Sequence, residues 1–437
     1  MSSPKNKLTF VSTAQPALRA DLREVLLSPV PKAGGLWVPS EIPQLPANFL
    51  AQYQTADYAT LAEAVMAPYF SEALGPQVFR ELCREAFNFP VPLVRAPGMD
   101  PQLSVLELFH GPSAAFKDFA VRLLVRVTAK VLGQDFPQIT VLAATSGDTG
   151  AAVTEACAGV PGVRAVVLYP RVGVSAVQES QIARARSGVV ALSVAGTFDH
   201  CQALVKRALA DEGLSRQRPL LTANSINPVR LIAQVPFAYH ARRSLTTQGP
   251  WGVVVPSGNL GNVGAVQLAR RMGLSVDVLT AATNVNSPLP ELFATGQYRP
   301  RQAHPTYSNA MDIGAPNNLD RLLAWRVGGP AVSAVTVDDA TTAATMQRVY
   351  ASGGYVLCPR TAVGWKAAED LRQQNPNLQQ VVIFGTAHPA KFPDVLEVAL
   401  KRREASVFPG VLPPPAPLKM DADYESLRKI LSSSQGF

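Results

Sequence analysis

Short apolar segments alternate with amphipathic helical segments through most of this chain, and that alternation limits what it can fold into. Two runs of alternating segments occur. The first has predicted strands and helices at residues 139–144, 150–158, 164–169, 189–194 and 200–209. The second has them at residues 252–255, 264–272, 275–279, 361–373 and 380–384. Strands that alternate with helices favour parallel sheets covered on both faces. We therefore expect an α/β fold with two open parallel-sheet domains around a cleft.

The length of 437 residues exceeds one ordinary hydrophobic core and predicts two or three domains. We predict an N-terminal segment over residues 1–100, packed on the large domain and helical at 59–70 and 76–87. A smaller α/β domain should cover residues 101–226, with a strand at 103–109 and a helix at 117–132. A large α/β domain should cover residues 227–437, opening with a helix at 227–243. Its Pro-rich residues 407–417 should wrap the surface before a short terminal helix.

Composition narrows the class of function. Hydrophobic residues make up 47% of the chain and charged residues 16%, which is typical of a globular protein with a large core. The net charge of +8 is dispersed, so a small anionic partner fits better than nucleic acid, which favours a basic stripe. No segment reads as a signal peptide or membrane span, and we predict a cytoplasmic protein.

The metal-binding residue types are scattered. The four cysteines, Cys83, Cys157, Cys201 and Cys358, lie far apart and are expected to be reduced and buried. The five histidines show no metal-ligand spacing, so no metal site is predicted. The quaternary state is left open between a monomer and a homodimer.

Lys117 lies in an apolar stretch, LFHGPSAAFKDFA, between Phe116 and Asp118. Burial disfavours the charged form of an amine, so the pKa of Lys117 should fall and the neutral amine could attack an aldehyde. The alternative is an ordinary lysine that begins a helix and extends its amine to water.

The segment VVVPSGNLGN, residues 253–262, is an apolar strand followed by a glycine-rich turn and a helical pattern. Backbone N–H groups of such a turn bind anions, although glycine-rich turns also serve packing alone. No Gly-Lys-Ser/Thr follows, so the turn is not a nucleotide P-loop. A lysine that attacks an aldehyde and a turn that binds a phosphate together suit pyridoxal phosphate.

Four polar motifs each follow an apolar run: Lys117, residues 145–150, residues 258–262 and Thr386. Ligands of open α/β sheets bind at the carboxyl ends of strands. We therefore predict that these motifs share one functional cleft.

Several long motifs resemble threonine synthase, in the longer subgroup of bacteria and fungi. They are LFHGPSAAFKDFA, AATSGDTGAA (143–152), NSINPVRLIAQ (224–234), VPSGNLGN and FGTAHPAKF (384–392). The resemblance runs from about Gly34 to about residue 415. It implies a fold type II pyridoxal-phosphate enzyme, similar to the tryptophan synthase β subunit, with an N-terminal extension.

The resemblance also implies roles for individual residues. Lys117 would carry the cofactor as a Schiff base and then act as the catalytic base. Thr386 would bind the pyridine nitrogen, although a strand-end hydroxyl that caps the next helix is the alternative. The cofactor phosphate would be bound by Gly258, Asn259, Leu260, Gly261 and Asn262. The substrate would be bound by Thr145, Ser146, Asp148, Thr149, Asn224, Ser225 and Arg230, with Asn227 on the same helical face as Arg230. The alternatives are an ordinary helix cap by Ser146 or Asp148 and a surface ion pair formed by Arg230.

The reaction implied is the conversion of O-phospho-L-homoserine and water to L-threonine and phosphate. Two rivals stay open: release of 2-oxobutyrate by a phospholyase or dehydratase, and a scaffold without catalysis. The chain also departs from the family pattern, since Cys358-Pro359-Arg360-Thr361 replaces the more usual Asp/Glu-Pro-His-Thr. The effect of this change on substrate binding is left open.

Overall fold

The computed structural model describes residues 9–217, 219–326, 331–401 and 417–433. Most of the predicted Pro-rich segment at 407–417 lies outside these residues. Two sheets dominate the described chain and define two units, which we call the large sheet and the small sheet. The central strands of both sheets are near-continuous apolar runs, as expected for parallel strands buried on both faces. The predicted α/β class with open parallel sheets is therefore confirmed.

The large sheet has six strands. Their spatial order is Val332–Thr336, Val278–Thr283, Trp251–Pro256, Gln380–Gly385, Leu103–Glu107 and Leu93–Val94. All neighbours pair in parallel except the last two, which are antiparallel. The register aligns Val254 with Ile383 and Ile383 with Val105, so three central strands end at the same level.

The small sheet has five strands, all paired in parallel. Their spatial order is Leu418–Asp421, Val189–Ala195, Val163–Pro170, Ile139–Ala144 and Leu220–Thr222. A third, three-stranded antiparallel sheet near the N-terminus orders Arg19–Ala20, Phe10–Ser12 and Trp37–Pro39.

The helices are interspersed with the strands along the chain. In the N-terminal quarter they are Leu22–Leu27, Phe49–Gln52, Tyr58–Leu74 and Pro76–Ala86. Lys117–Leu132 comes next, and the small sheet then carries Asp148–Cys157, Ala176–Ile182, Phe198–Ala210, Glu212–Gln217 and, at the end of the chain, Tyr424–Ser432. The large-sheet unit carries Pro228–Ile232, Pro236–Ser244, Gly261–Arg271, Leu289–Thr295, Leu319–Arg326, Asp339–Gly353, Pro359–Gln374 and Pro393–Leu400. Short 3₁₀ turns occur at Asn309–Met311 and Pro389–Lys391.

The helix Lys117–Leu132 is buried at the centre of the fold. It contacts the helix Asp148–Cys157 of the small-sheet unit and the helices Pro228–Ile232 and Pro76–Ala86. Its Phe119 ring lies 4.9 Å from the ring of Phe237 and 5.3 Å from that of Tyr58. Aromatic packing therefore fixes the helix that begins at Lys117 against both the N-terminal segment and the large-sheet unit.

Two segments pair with a different sheet from the one that we expected. We predicted the strand near residue 103 in the smaller domain, but Leu103–Glu107 pairs with Val381–Gly385 in the large sheet. We placed residues 227–437 wholly in the large domain, but Leu418–Asp421 pairs with Leu192–Ala195 in the small sheet. An apolar pattern identifies a strand, whereas its partner depends on how the chain crosses between the sheets.

The helix predicted at residues 227–243 is two helices. It breaks between Ile232 and Pro236, because Pro236 has no N–H to continue the first helix. All four cysteines are buried and free, as predicted. Within the described residues, no helix is both long and apolar enough to cross a membrane.

Candidate active site

Three polar segments leave adjacent strands at one edge of the large sheet. The strand Leu103–Glu107 leads to the loop before Lys117, Gln380–Gly385 leads to Thr386, and Trp251–Pro256 leads to the glycine-rich turn. Neighbouring strands lie about 4.8 Å apart. The strand that carries Thr386 lies between the other two, so one ligand could contact all three segments.

The loop before Lys117 is hydrogen-bonded to the Thr386 segment. The Phe116 N–H donates to the Thr386 carbonyl at 3.0 Å, and the His388 N–H donates to the Ala114 carbonyl at 3.0 Å. The Thr386 hydroxyl oxygen is buried and has no hydrogen-bond partner among the described residues. His388, rather than Thr386, caps the turn Pro389–Lys391, so the capping alternative for Thr386 was wrong.

Lys117 is half-buried and makes no hydrogen bond or ion pair within the part of the chain described. The pKa of its amine is lowered to about 7, chiefly by burial, with Asp148 opposing this and Arg360, Arg230 and Lys391 adding to it. The lowered pKa favours the neutral amine near pH 7, which is the form that attacks an aldehyde. Lys117 therefore has the environment that the sequence predicted.

The glycine-rich turn has the shape of an anion site. Leu260 has a left-handed φ of 61° and begins the helix Gly261–Arg271. A Cβ placed on Gly258 would lie only 2.9 Å from the Met311 Cα, so the turn leaves no room for a side chain there. The backbone N–H groups at the start of this helix favour a negative charge.

Two asparagines in the turn have different environments. Asn259 is used internally: its Oδ1 accepts from the Asn317 N–H at 3.2 Å, and its carbonyl accepts from Asn318 Nδ2 at 3.0 Å. Asn262 is buried, and neither its Oδ1 nor its Nδ2 has a partner among the described residues. Leaving a buried amide unpaired is costly, so Asn262 favours a bound polar ligand. The unpaired polar atoms of Asn262 and Thr386, together with the amine of Lys117, fit a polar ligand such as pyridoxal phosphate.

The loop at residues 145–150 joins the small sheet to the helix Asp148–Cys157. The Thr145 hydroxyl accepts from the N–H groups of Gly147 at 3.0 Å and Gly150 at 2.9 Å, so Thr145 holds the loop together. Ser146 is exposed and Thr149 is half-buried. Neither Ser146 nor Asp148 caps this helix, since its N-cap is Gly147.

Asp148 is fully buried between two cations, Arg360 and Lys391. Although burial alone would raise it, these cations and Lys117 hold the pKa of Asp148 well below its usual range. Lys391 Nζ lies 2.9 Å from Asp148 Oδ1 and donates to the Ser113 carbonyl at 2.7 Å and to Gln181 Oε1 at 2.8 Å. Asp148 is thereby tied to the loop before Lys117.

Neither Lys391 nor Arg360 was predicted as a site residue. Lys391 lies within FGTAHPAKF, and its apolar neighbours Pro389, Ala390 and Phe392 carry the same signal that identified Lys117. Arg360 was noted only as a departure from the family pattern. No local signal places it beside Asp148, which is 212 residues earlier in the chain.

The second predicted substrate segment follows the strand Leu220–Thr222. Asn224 is exposed, and the Ser225 hydroxyl is buried without a partner in the described chain. Asn227 Oδ1 caps the next helix by accepting from the Val229 N–H at 3.0 Å, so this atom is already used. Arg230 is buried, which lowers its pKa to about 10. It donates from Nη1 to the Ala223 carbonyl at 2.6 Å, while its buried Nε finds no acceptor among the described residues.

Comparisons with known proteins identify the family of this chain. A family described as pyridoxal-phosphate dependent enzyme matches residues 85–386. The N-terminal family of threonine synthase matches residues 9–87, and its C-terminal family matches residues 361–425.

Individual relatives match nearly the whole chain. Threonine synthase of Escherichia coli strain K12 is 37% identical, over 92% of this chain and 94% of the relative. That of Serratia marcescens is 35% identical, over 93% and 92%. The crystal structure of pyridoxal-phosphate-bound threonine synthase from Brucella melitensis superposes with a TM-score of 0.89 at 32% identity, covering 97% of this chain and 98% of that one. The chain therefore belongs to the threonine synthase family of pyridoxal-phosphate-dependent enzymes.

Proposed function

We propose that this chain converts O-phospho-L-homoserine and water to L-threonine and phosphate, with pyridoxal phosphate as its cofactor. The observation that carries the proposal is that the loop before Lys117 bonds the Thr386 backbone, and that the strand before Thr386 neighbours the strand before the glycine-rich turn. Family membership supports the same reaction.

The cofactor would be held at three points. Lys117 would bind its aldehyde, and the Thr386 hydroxyl would bind its ring nitrogen. The phosphate would be bound by the turn residues Gly258, Asn259, Leu260, Gly261 and Asn262. Gly258, Leu260 and Gly261 contribute backbone N–H groups at a helix N-terminus, and Asn262 adds its side-chain amide. Asn259 shapes the turn through its bonds to Asn317 and Asn318.

When bound, the cofactor supplies a ring that accepts electrons as the substrate loses its α-proton. A neutral hydroxyl at Thr386 would leave the ring nitrogen largely unprotonated, unlike a carboxylate at that place. Lys117 would be the base that takes the α-proton of the substrate. Its pKa of about 7 suits both taking and returning a proton near neutral pH.

The substrate anion would bind among cations and hydroxyls of the two segments that follow the strands Ile139–Ala144 and Leu220–Thr222. Arg230 is buried, carries no acidic partner in the described chain and retains an unused Nε–H, which suits a phosphate oxygen. Ser146, Thr149, Asn224 and Ser225 would supply further hydrogen bonds. Thr145 and Asp148 would act less directly, by holding the loop that carries Ser146 and Thr149.

Product analysis tests the proposal. The purified chain, loaded with pyridoxal phosphate, is incubated with O-phospho-L-homoserine, and phosphate, L-threonine and 2-oxobutyrate are measured. We expect equal amounts of L-threonine and phosphate. Equal amounts of 2-oxobutyrate and phosphate would favour a phospholyase, and no phosphate release would refute both.

Two lysine-to-alanine variants in one helix test the role of Lys117 and provide its control. Lys117→Ala should lose at least about 1,000-fold in turnover, because the covalent link and the base are removed together. Lys130→Ala, at an exposed position in the same helix, should keep the wild-type turnover.

A further inference from the structure

Arg360 is a buried cation that contacts three different loops. It lies in the first turn of the helix Pro359–Gln374 and is 2% exposed. One Nη pairs with Asp148, and the other donates to Asn309 Oδ1 at 3.1 Å. Its guanidinium lies 4.8 Å from the centre of the Phe392 ring. This contact set is unusual for an arginine near a helix terminus, which more often faces water.

The three partners belong to the walls of the candidate site. Asp148 begins the helix that follows the polar loop of the small sheet. Asn309 begins the turn Asn309–Met311, whose backbone packs against Gly258 of the glycine-rich turn. Phe392 follows Thr386 on the central loop of the large sheet. Arg360 therefore links the small-sheet wall to the segment that covers the phosphate turn.

We propose that Arg360 is a positioning residue that sets substrate affinity, by fixing the Asp148 loop relative to the phosphate turn. The proposal rests on the proposed function, since the loop at residues 145–150 is taken to bind the phosphorylated substrate. A planar guanidinium has five N–H donors and a permanent charge, so it can bond Asp148 and Asn309 at once. The imidazole more usual at this place has two nitrogens and a shorter reach.

Lys391 cannot replace this link. Its three N–H donors are already directed at Asp148, the Ser113 carbonyl and Gln181. These partners lie on the small-sheet unit and the loop before Lys117, and none lies on the segment over the phosphate turn. Lys391 would still neutralise Asp148 if Arg360 were shortened, so the fold should survive. The loop at residues 145–150 would, however, lose its connection to the turn Asn309–Met311.

The first test compares Arg360→Lys and Arg360→His with the wild-type holoenzyme. We expect KM for O-phospho-L-homoserine and the inhibition constant of inorganic phosphate to rise about 10- to 100-fold, the effect of losing a charged hydrogen bond. We expect the dissociation constant of pyridoxal phosphate to stay within about threefold in both variants, because the turn is untouched. We expect kcat to stay within about threefold in Arg360→Lys, which keeps the positive charge near Lys117. A merely structural role would instead change kcat, cofactor binding and the unfolding temperature together, and that result would overturn the proposal.

Two further variants keep the result interpretable. Arg348→Lys alters an arginine outside the site that binds Glu369 through both Nη atoms, at 2.6 and 2.8 Å, and should leave KM unchanged. Asn309→Ala removes the amide that accepts from Arg360, and Asn309 is exposed, so this variant should fold. It should also raise KM, which keeps the proposal testable even if the Arg360 variants fail to fold. An unchanged KM in Asn309→Ala and in any folded Arg360 variant would refute the inference. A wild-type enzyme that releases no phosphate would instead refute the proposed function.

Discussion

Replacing Lys117 with methionine should stabilise the cofactor-free protein while abolishing its activity. The pKa of the Lys117 amine falls from 10.5 to about 7 on folding, chiefly through burial. A tenfold change in proton affinity corresponds to about 1.4 kcal/mol, so the upper limit of the destabilisation at pH 7 is about 4 kcal/mol. The side chain is half-buried and water screens part of this cost, so we expect Lys117→Met to gain about 1–3 kcal/mol.

The gain should depend on pH in a defined direction. The folded pKa lies below the unfolded one, so the unfolded chain binds more protons between about pH 7 and 10.5, and wild-type stability rises through that window. The advantage of Lys117→Met is therefore complete at and below about pH 7, falls to about a third by pH 9.5 and vanishes near pH 10.5.

Urea unfolding of the two proteins at pH 7 and pH 9.5 measures this difference. Lys130→Met, at an exposed position in the last turn of the same helix, is the control and should be neutral or slightly destabilising at both pH values. The reasoning would be refuted if Lys117→Met were less stable than the wild type at pH 7. It would also be refuted by a gain that did not shrink at pH 9.5.

Three further substitutions test other parts of the site and fold. Asn262→Ala should raise the dissociation constant of pyridoxal phosphate about 10- to 100-fold, which fluorescence titration measures. It should leave the cofactor-free protein at least as stable in urea unfolding, since it removes two unpaired buried atoms. Thr386→Val should lower kcat at least about tenfold and shift the absorbance of the bound cofactor without loss of stability, and an unchanged spectrum would count against a bond to the ring nitrogen. Burial lowers the pKa of His240 from 6.5 to about 4, so the unfolded chain takes up a proton first as the pH falls. The free energy of unfolding of the wild type should therefore fall by about 1–3 kcal/mol between pH 6.5 and pH 4. His240→Gln should reduce this loss, which unfolding at pH 7 and pH 4.5 measures.

Much of the fold was predictable because apolar runs and helical spacing are local properties. The helix Lys117–Leu132 and the strand Ile139–Ala144 were predicted to the residue. The sheet to which Leu103–Glu107 belongs was predicted wrongly, because its partner Val381–Gly385 lies more than 270 residues later in the chain. The strand Leu418–Asp421 was missed, since four residues with one buried side chain give little pattern.

The site shows the same division between local and distant information. The environment of Lys117 was predicted, because its own neighbours are apolar. The state of Asp148 was not, because its charge is balanced by Arg360 and Lys391, both more than 200 residues away. Thr145 and Asn227 were predicted to meet the substrate, but their side-chain oxygens bond the backbone of their own loops. Whether a polar side chain is used internally is visible only once the backbone around it is folded.

The strand Leu418–Asp421 and the helix Tyr424–Ser432 complete a unit that begins some 280 residues earlier. Arg164 donates to the Leu431 carbonyl at 2.7 Å, and Leu427 and Leu431 are buried in the core of the small sheet. During synthesis, the strand Val189–Ala195 must therefore leave the ribosome long before its neighbour exists. An unpaired edge and an uncovered apolar face invite association with other chains. For this protein, residues 418–432 are translated long after the other strands of the small sheet and decide when that early part of the molecule can finish folding. Their removal should cause aggregation rather than a simple loss of activity.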